Sequence, residues 1–379
     1  MRLMTLGVCG FVMFGALFLG LGSASNDGLA AQNKVAKTLE GDVEGDPKLT
    51  GFQAIAFAND GTLFVGDGQG ARIVAIKTGD NKKPKDLAFK KVEEFGKKLK
   101  AKLGVTELSL LDLAVNPASG KAYLAVQSGN TCRILTIDGA GAIEEFSTSK
   151  VRYSEIKLPL EKGVNAIQFN DLAYIGDKLI ATACTASAFL AKIYVATAPF
   201  KHGVNASLIS AETYHRTHDA WETAAPIERI APYQKDGKTY VIGSFMCTPV
   251  ARFNISDAKD GEKLRGITPL DFGPGKQARD LLYYEKAGKP FLIACIDSEA
   301  VGVVRIKSEL LMESGADNVN EKAPQLYDWD DKINKDYEDK FEKLDAFSGA
   351  LKLARFDEGH ALAVRSVGGK VFLESLELP

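Results

Sequence analysis

The residues best suited to bind a metal ion lie in segment 211–233 of this sequence. The segment holds His215 and His218, two of the four histidines in the chain, followed by Glu222. Imidazole is the commonest transition-metal ligand, and His-x-x-His with a glutamate four residues later would place three donors on one helical face. Such a metal could activate water. The alternative, which this short motif favours, is a histidine pair hydrogen-bonded to Glu222 in a loop under Trp221.

The cysteine side chains extend this set of candidate ligands. Cys247 joins the two histidines and the glutamate in a candidate site for a divalent or transition metal ion, the one cofactor that the residues suggest. A disulfide is the second interpretation, joining Cys184 with Cys247 or Cys247 with Cys295, since export would expose them to an oxidising compartment. Burial as small apolar side chains is the third. The sequence leaves these alternatives open, together with the state of Cys132.

The chain that carries these residues repeats one β-rich unit six times. Each unit has a short apolar strand, a turn with glycine, a second strand rich in β-branched and aromatic residues, a loop and a third strand. The turn glycines recur at intervals of 51 to 71 residues: Gly61, Gly120, Gly176, Gly237, Gly288 and Gly359. A meander of this length makes one four-stranded blade, and a closed ring of blades leaves no exposed sheet edge. The sequence therefore predicts an all-β fold, a six-bladed β-propeller.

Two segments interrupt the repeat. Residues 81–104 are rich in lysine with apolar residues at helical spacing, which predicts an amphipathic helix inserted in the first blade, its lysines on a solvated face. Residues 310–350 are acidic and aromatic and predict a partly helical insertion before the last blade. Residues 36–49 are expected to supply the outer strand of the last blade and close the ring.

Propeller topology converts offsets in the repeat into positions in space. The first two strands of a blade are antiparallel neighbours, so the start of the first and the end of the second face the same mouth of the central channel. The side chains at these offsets are the candidate ligand-binding residues: Asp112, Asp171, Asp280, Arg279, Asp67, Asp297 and Gln127.

Three of these carboxylates, Asp112, Asp171 and Asp280, share one offset, each directly before a leucine that starts a strand. An aspartate repeated in this way often ties a loop by accepting hydrogen bonds from backbone amides. The sequence favours that structural role over contact with a ligand or metal.

The first unit, DGTLFVGDGQGARIVAI, resembles a blade of the NHL type and is similar to repeats of gluconolactonase-like propellers. The resemblance covers residues 51–78 and is diluted elsewhere, and it implies the six-bladed fold rather than an activity. The carboxylate and asparagine set that binds a divalent cation in the gluconolactonase-like proteins is not matched, because Gln53 stands where the acid of the first blade is expected.

The N-terminal residues have the layout of a secretory signal peptide: Arg2, an apolar run over 6–21, and small residues up to Ser25. We expect a cleaved signal peptide at 1–25, a single propeller domain at 26–379, and a periplasmic or secreted protein without stable membrane insertion. With 47 basic and 49 acidic residues, the formal charge of −2 predicts no nucleic-acid partner. A closed propeller needs no second subunit, which favours a monomer.

The sequence lacks a Gly-x-Ser-x-Gly elbow, a phosphate-binding Gly-x-x-x-x-Gly-Lys-Ser/Thr loop and a Cys-x-x-Cys-His haem motif. The predicted function is therefore a binding or scaffold protein that holds a protein or small-molecule partner at one mouth of the channel. The alternative is a metal-dependent hydrolase or oxidoreductase, or a redox-partner protein, with its site at the same mouth.

Overall fold

The computed structural model describes residues 37–379, apart from residues 85–87, 161, 165, 186–187, 216–219, 247, 300, 308–309, 312–324, 329 and 331. The predicted signal peptide, His218 and Cys247 lie outside the described residues. What the sequence suggests for them stays a prediction.

The described chain is built mainly from β-strands. In chain order, the first group is β1 (Leu39–Glu40), β2 (Val43–Gly45), β3 (Phe52–Phe57), β4 (Thr62–Asp67), β5 (Arg72–Lys77), α1 (Phe95–Leu103), β6 (Ser109–Val115), β7 (Ala122–Ser128), β8 (Thr131–Ile137), β9 (Ile143–Glu145), β10 (Val151–Lys157), β11 (Gln168–Ile175), β12 (Lys178–Thr185), β13 (Ala188–Thr197) and β14 (Phe200–Lys201). The second group is β15 (Val204–Asn205), β16 (Ser207–His215), β17 (Ala220–Glu222), β18 (Ile227–Lys235), β19 (Lys238–Phe245), β20 (Pro249–Asn254), β21 (Lys263–Arg265), β22 (Ile267–Asp271), β23 (Ala278–Lys286), β24 (Lys289–Ile296), β25 (Val303–Ile306), β26 (Phe341–Lys343), β27 (Ala350–Arg355), β28 (His360–Val367) and β29 (Lys370–Glu377). Two 3-10 helices lie at Lys335–Lys340 and Asp345–Phe347.

These strands form the six blades that the repeat predicts. Numbered by their inner strands along the chain, blade 1 contains β3, β4, β5 and β10, and blade 2 contains β6 to β9. Blade 3 contains β11, β12, β13 and β16, and blade 4 contains β18, β19, β20 and β22. Blade 5 contains β23 to β26, and blade 6 contains β27 to β29. The predicted six-bladed propeller is confirmed.

Each blade is buried on both faces because it packs between two others. All six residues of β4 are buried, although a strand with one wet face would alternate. Five of the six turn glycines have positive φ, among them Gly61 at 81° and Gly288 at 71°, as tight hairpins between the first two strands require. Gly359, in the degenerate last repeat, is the exception.

The order of the blades around the ring differs from their order along the chain. Six apolar clusters each fill one interface: between blades 1 and 3, 3 and 4, 4 and 5, 5 and 6, 6 and 2, and 2 and 1. Blades 1 and 3 approach so closely that a Cβ atom on Gly66 would lie 2.7 Å from the ring of Phe169. The ring therefore runs 1–3–4–5–6–2.

This order follows from where the fourth strand of blade 1 lies in the sequence. The chain leaves blade 1 after β5, builds all of blade 2, and only then returns as β10, which pairs with β5 from Arg152 to Lys157. Blade 2 is thus inserted within blade 1 and sits between it and blade 6. The expectation that residues 36–49 close the last blade is wrong, because β2 pairs with β10 and Val92 bridges to Leu373 of β29 at the edge of blade 6.

Helix α1 is the helix predicted for segment 81–104, and it is shorter than that segment. It ends at Leu103, and the next residue, Gly104, has a left-handed backbone (φ 66°) that places its N–H toward the carbonyl of Ala101. Phe95 and Leu99, one turn apart, are buried in the cluster between blades 2 and 6. This packing fixes the helix beside the place where β6 and β27 begin.

The acidic segment 310–350 contributes to the propeller as well as interrupting it. Its residues Phe341–Lys343 form β26, the fourth strand of blade 5, which pairs with β25. The part at 312–324 lies outside the described residues.

Candidate functional site: the mouth where the inner strands begin

All six inner strands begin at one face of the disc, and we call the opening of the channel there the start mouth. Near its beginning each inner strand carries a β-bulge, which shifts the register by one residue. The residues just after the bulge are equivalent in the six blades. Around the ring they are Ala54, Asp171, Arg229, Asp280, Lys352 and Asp112, and we call them the six-residue ring.

The three aspartates of this ring are used for backbone hydrogen bonds. Each accepts the amide of its own next residue with one oxygen and an amide of the neighbouring blade with the other. The first set of amides is Leu113, Leu172 and Leu281, at 2.8 to 3.0 Å. The second set is Ile55, Ile230 and Leu353, at 2.7 to 2.8 Å.

Three carboxylates therefore satisfy six amides, one in every inner strand. An unpaired buried amide is costly, and two acceptor oxygens per aspartate explain why an aspartate is needed only in alternate blades. These are the bonds of the structural role that the sequence favours for Asp112, Asp171 and Asp280. Contact of the same carboxylates with a ligand stays a prediction.

Cations occupy two of the three remaining ring positions. Lys352 Nζ lies 3.3 Å from Asp112 Oδ1. Arg229 donates from Nε to the carbonyl of Arg279 at 2.6 Å and from Nη1 to the carbonyl of Asn170 at 2.7 Å, and so ties blade 4 to both neighbours. At the third position Ala54 places no charge between Asp112 and Asp171.

This uneven distribution of charge affects the pKa values of the ring residues. Burial, followed by the charge of Asp112, raises the pKa of Asp171 to about 7, against the lowering effect of Arg229. Burial also raises the pKa of Asp280, although Lys352 opposes it. For Arg229, burial acts to lower the pKa, but Asp171 and the other ring carboxylates outweigh it and the pKa is raised. The cation is therefore held in its charged form.

The bulged residues form a second circle above the ring, and it has two unlike arcs. Gln53, Asn170, Glu228 and Arg279 make a polar arc on blades 1, 3, 4 and 5. The Gln53 side chain accepts the amide of Phe169 at 3.0 Å, so part of this arc also ties blades together. Leu111 and Leu351 make an apolar arc on blades 2 and 6, the two blades that carry α1.

A cavity of about 780 Å³, the helix cavity, lies between α1 and this apolar arc and reaches across the mouth to Arg229 and Arg279. Five half-buried apolar side chains line it: Leu108, Leu110, Leu111, Leu351 and Val371. Six cationic side chains also line it: Lys97, Lys100, Lys370, Arg229, Arg279 and Lys352. Glu94 is the one carboxylate among its described lining residues.

The other candidate residues of this mouth have partners within the fold. Asp67 is fully buried, accepts the Thr50 hydroxyl at 2.7 Å and pairs with Arg72 at 3.0 Å, so it fixes the approach to blade 1. Gln127 donates to the carbonyl of Gly129 at 2.9 Å within a hairpin turn. Asp297 pairs with Arg279 at the exposed rim.

The candidate metal ligands that the structure describes lie elsewhere. His215 ends β16 and Glu222 ends β17, and these strands form a hairpin at the outer side of blade 3. The helical arrangement that a metal site would need is not found, and neither is a position over the channel. His215 is buried against the ring of Phe245, with Nδ1 3.9 Å from Glu222 Oε2. Within the described ranges no three His, Cys, Asp or Glu side chains are grouped to hold a metal.

The described cysteines carry free thiols, so neither Cys184 nor Cys295 is in a disulfide, and Cys132 is free and half-buried. Cys184 is buried beside Asn170, its Sγ 3.8 Å from Oδ1, and burial followed by the charge of Glu228 raises its thiol pKa. Burial, then Asp280, raises the pKa of Cys295 well above its ordinary value. Buried, protonated thiols agree with the interpretation as small apolar side chains.

Two features of the mouth were missed from the sequence. Lys352 stands directly before Leu353, at the offset of the three aspartates, so alignment of the repeats could have found it. The sequence predicts a solvated face for the lysines of α1; Lys97 is exposed, as predicted, and Lys97 and Lys100 also line the cavity, which the sequence does not show. The local sequence of α1 does not indicate which side of the helix faces the cavity.

No known protein family and no curated protein matches this sequence. Several solved structures show a distant similarity to this chain. The PQQ-bound aldose sugar dehydrogenase of Streptomyces coelicolor is 12% identical, with a TM-score of 0.34 over 88% of this chain and 98% of that chain. Virginiamycin B lyase of Staphylococcus aureus is 11% identical, with a TM-score of 0.38 over 88% and 99%. The GH43 endo-arabinanase of Bacillus licheniformis is 13% identical, with a TM-score of 0.39 over 71% and 93%. Likenesses this distant carry no argument about activity.

None of the helices among the described residues is long and apolar enough to cross a membrane.

Proposed function

We propose that this chain is an exported binding protein that holds its ligand at the start mouth, in the cavity between α1 and blades 2 and 6. The observation that carries this proposal is the cavity itself, whose volume of about 780 Å³ lies within the ordinary size of ligand sites. Apolar side chains make up much of its wall, as is usual in ligand sites, and charged groups lie among them. The layout of residues 1–25 supports export.

The two parts of the mouth have different roles: the helix cavity binds the ligand, and the six-residue ring supports it. The six-residue ring ties neighbouring inner strands together, so the floor of the mouth is rigid. The wall formed by α1 rests on Phe95, which is fully buried. A rigid concave wall limits the entropy lost on binding, which favours a specific ligand.

A cavity-filling variant tests the proposal. Leu351 is half-buried in the wall, so the larger indole of Leu351→Trp should occupy ligand space without disturbing the ring below it. We expect a thermal-shift panel of sugars, carboxylic acids, quinones and divalent metals to contain a class that stabilises the wild type and not the variant. A ligand at about 100 times its dissociation constant adds about 2.7 kcal/mol to the free energy of unfolding. A panel whose stabilising ligands all act equally on both proteins would show that binding occurs elsewhere.

The metal-dependent hydrolase or oxidoreductase remains the alternative prediction. No observation on the described residues favours it, and two of its four proposed ligands, His218 and Cys247, lie outside them.

A further inference from the structure

We infer that the helix cavity takes an anionic amphiphile, a molecule with one carboxylate head and an unbranched apolar body, such as a medium-chain fatty acid. This inference rests on the proposed function and names the chemistry of its ligand.

The apolar wall argues for an apolar body. Leu108, Leu110, Leu111, Leu351 and Val371 converge on one concave surface, and all five are only half-buried. Single exposed apolar side chains are ordinary on a protein surface, but five gathered in a concavity are not. A ligand that covers them removes this apolar area from water, which is the main source of affinity in such a site.

The charges around the cavity favour an anion, and they place it at the α1 end. At the channel end, Lys352 is paired with Asp112, Arg279 is paired with Asp297, and Arg229 lies among the ring carboxylates. Positive charge at that end is therefore balanced by negative charge close by.

At the α1 end the balance is different. Glu94 forms an ion pair with Lys97, and Lys370 lies near enough to help lower the pKa of Glu94. Lys100 has no ion pair with any residue in the described ranges, and Lys370 has no direct one. Three lysines thus face one carboxylate, which leaves this end of the cavity positive. A carboxylate head would be held here, with the apolar body lying on the leucines toward the mouth.

Other classes of small molecule fit this wall less well. A sugar needs several directed hydrogen-bond partners, and the polar arc that would supply them is partly occupied, since Gln53 and Asn170 are bonded to neighbouring blades. An apolar molecule without charge would leave Lys100 and Lys370 without an ion pair. A cationic amphiphile would be repelled by them.

Isothermal titration of the purified protein with dodecanoate, below its micelle concentration, tests the inference. We expect one saturable site, with hexanoate and dodecylammonium each weaker by about tenfold or more, because one lacks apolar area and the other has the wrong charge. Equal binding of dodecanoate and dodecylammonium would overturn the assigned head group.

Two pairs of variants locate the site. Lys100→Gln with Lys370→Gln should weaken dodecanoate by about tenfold, whereas Lys98→Gln with Lys102→Gln, exposed on the same helix and outside the cavity lining, should not. Leu110→Asn should also weaken it by about tenfold, whereas Val367→Asn, 45% exposed on the hairpin of blade 6, should not. Equal losses in a variant and its control would remove the cavity as the site.

Two further outcomes separate this inference from the proposed function. If dodecanoate does not bind, but another class of ligand stabilises the wild type and not Leu351→Trp, the amphiphile is wrong and the start mouth remains a binding site. If dodecanoate binds the wild type and Leu351→Trp equally, it binds outside the cavity and the amphiphile is wrong; the proposed function fails as well only if every stabilising ligand of the panel also acts equally on both proteins. Cosedimentation with phosphatidylglycerol-containing vesicles, without binding of free dodecanoate, would instead identify a membrane surface as the source of the anionic group and overturn the free amphiphile.

Discussion

The six-residue ring and the helix cavity share one mouth of the propeller, but they differ in how far their polar groups are already bonded. In the ring, Asp280 uses both carboxylate oxygens for the amides of Leu281 and Leu353. At the α1 end of the cavity, Lys100 has no ion pair with any described residue, and the neighbouring leucines are half-buried. Groups whose bonds are complete stabilise the fold, whereas groups with unused capacity are available to a ligand.

Charged residues at a channel mouth can therefore either support the fold or be available to a ligand. The aspartates are conspicuous in the sequence because they recur at one offset. A residue that recurs in this way meets a structural requirement that all the blades share. The backbone amide of the residue that follows each ring position is such a requirement. The lysines of α1 are not part of the repeat and do not recur from blade to blade, as is expected of a site specific to one ligand.

The largest effect is expected on removing a ring carboxylate. Asp280→Ala leaves the buried amides of Leu281 and Leu353 without acceptors, and each costs about 1–3 kcal/mol. We expect the free energy of unfolding, from urea denaturation, to fall by about 2–5 kcal/mol. Asp297→Ala, on the exposed rim of the same blade, is the matched control and should change it by less than about 1 kcal/mol. Similar losses in the two variants would show that the ring is no more important for stability than the rim.

A second effect should appear in the pH dependence of stability. The folded-state pKa of Asp171 is raised from 3.8 to about 7. Between these two pH values the folded protein therefore holds a proton that the unfolded chain has released. The stability that this proton contributes is fully present below the pKa of Asp171 in the unfolded chain. It is lost as pH rises through the pKa of Asp171 in the folded protein.

Comparison with Asp171→Asn isolates that contribution. The variant cannot titrate at this position, and its amide offers one acceptor oxygen in place of two, so it should be less stable than the wild type at low pH, where Asp171 is protonated in both states. We expect the advantage of the wild type over the variant to shrink as pH rises from about 4 to 7, measured by urea denaturation at constant ionic strength. Parallel stability profiles would mean that Asp171 titrates at an ordinary carboxyl pKa in the folded protein.

The smallest effect on stability is expected in the cavity. Lys100→Gln with Lys370→Gln should change the free energy of unfolding by no more than about 0.5 kcal/mol, because neither lysine makes an ion pair with a described residue. A loss comparable to that of Asp280→Ala would show that these lysines support the fold and are not reserved for a ligand.

Part of this architecture could be predicted from the sequence because it depends on local patterns. Turn glycines at regular intervals, short apolar strands and one inserted amphipathic helix are each visible within a few residues. The shared offset of the aspartates is visible too, since it follows from aligning the repeats. Aligning the repeats would also have shown Arg229 and Lys352 at the offset of the aspartates. Which aspartates these cations lie between depends on which blades are neighbours in the ring.

The position of the histidine segment shows where local reasoning fails. The sequence favours a loop for His215 and Glu222 over a helix, but a spacing of seven residues does not indicate a paired hairpin. In the structure they belong to a hairpin whose strands pair from Thr213 to His215 with Ala220 to Glu222. That hairpin extends the outer side of blade 3, which carries it away from the channel.

The sequence by itself determined that there are six blades, where their turns lie, and that three aspartates occupy equivalent places. Only the tertiary structure decided the ring order 1–3–4–5–6–2, since that order depends on β10 pairing with β5 across the whole of blade 2. The same pairing places blades 2 and 6 side by side, and α1 packs across them. The local sequence cannot encode this, because the pairing joins segments that are distant along the chain. The apolar arc, the lysines of α1 and the cavity between them follow from it.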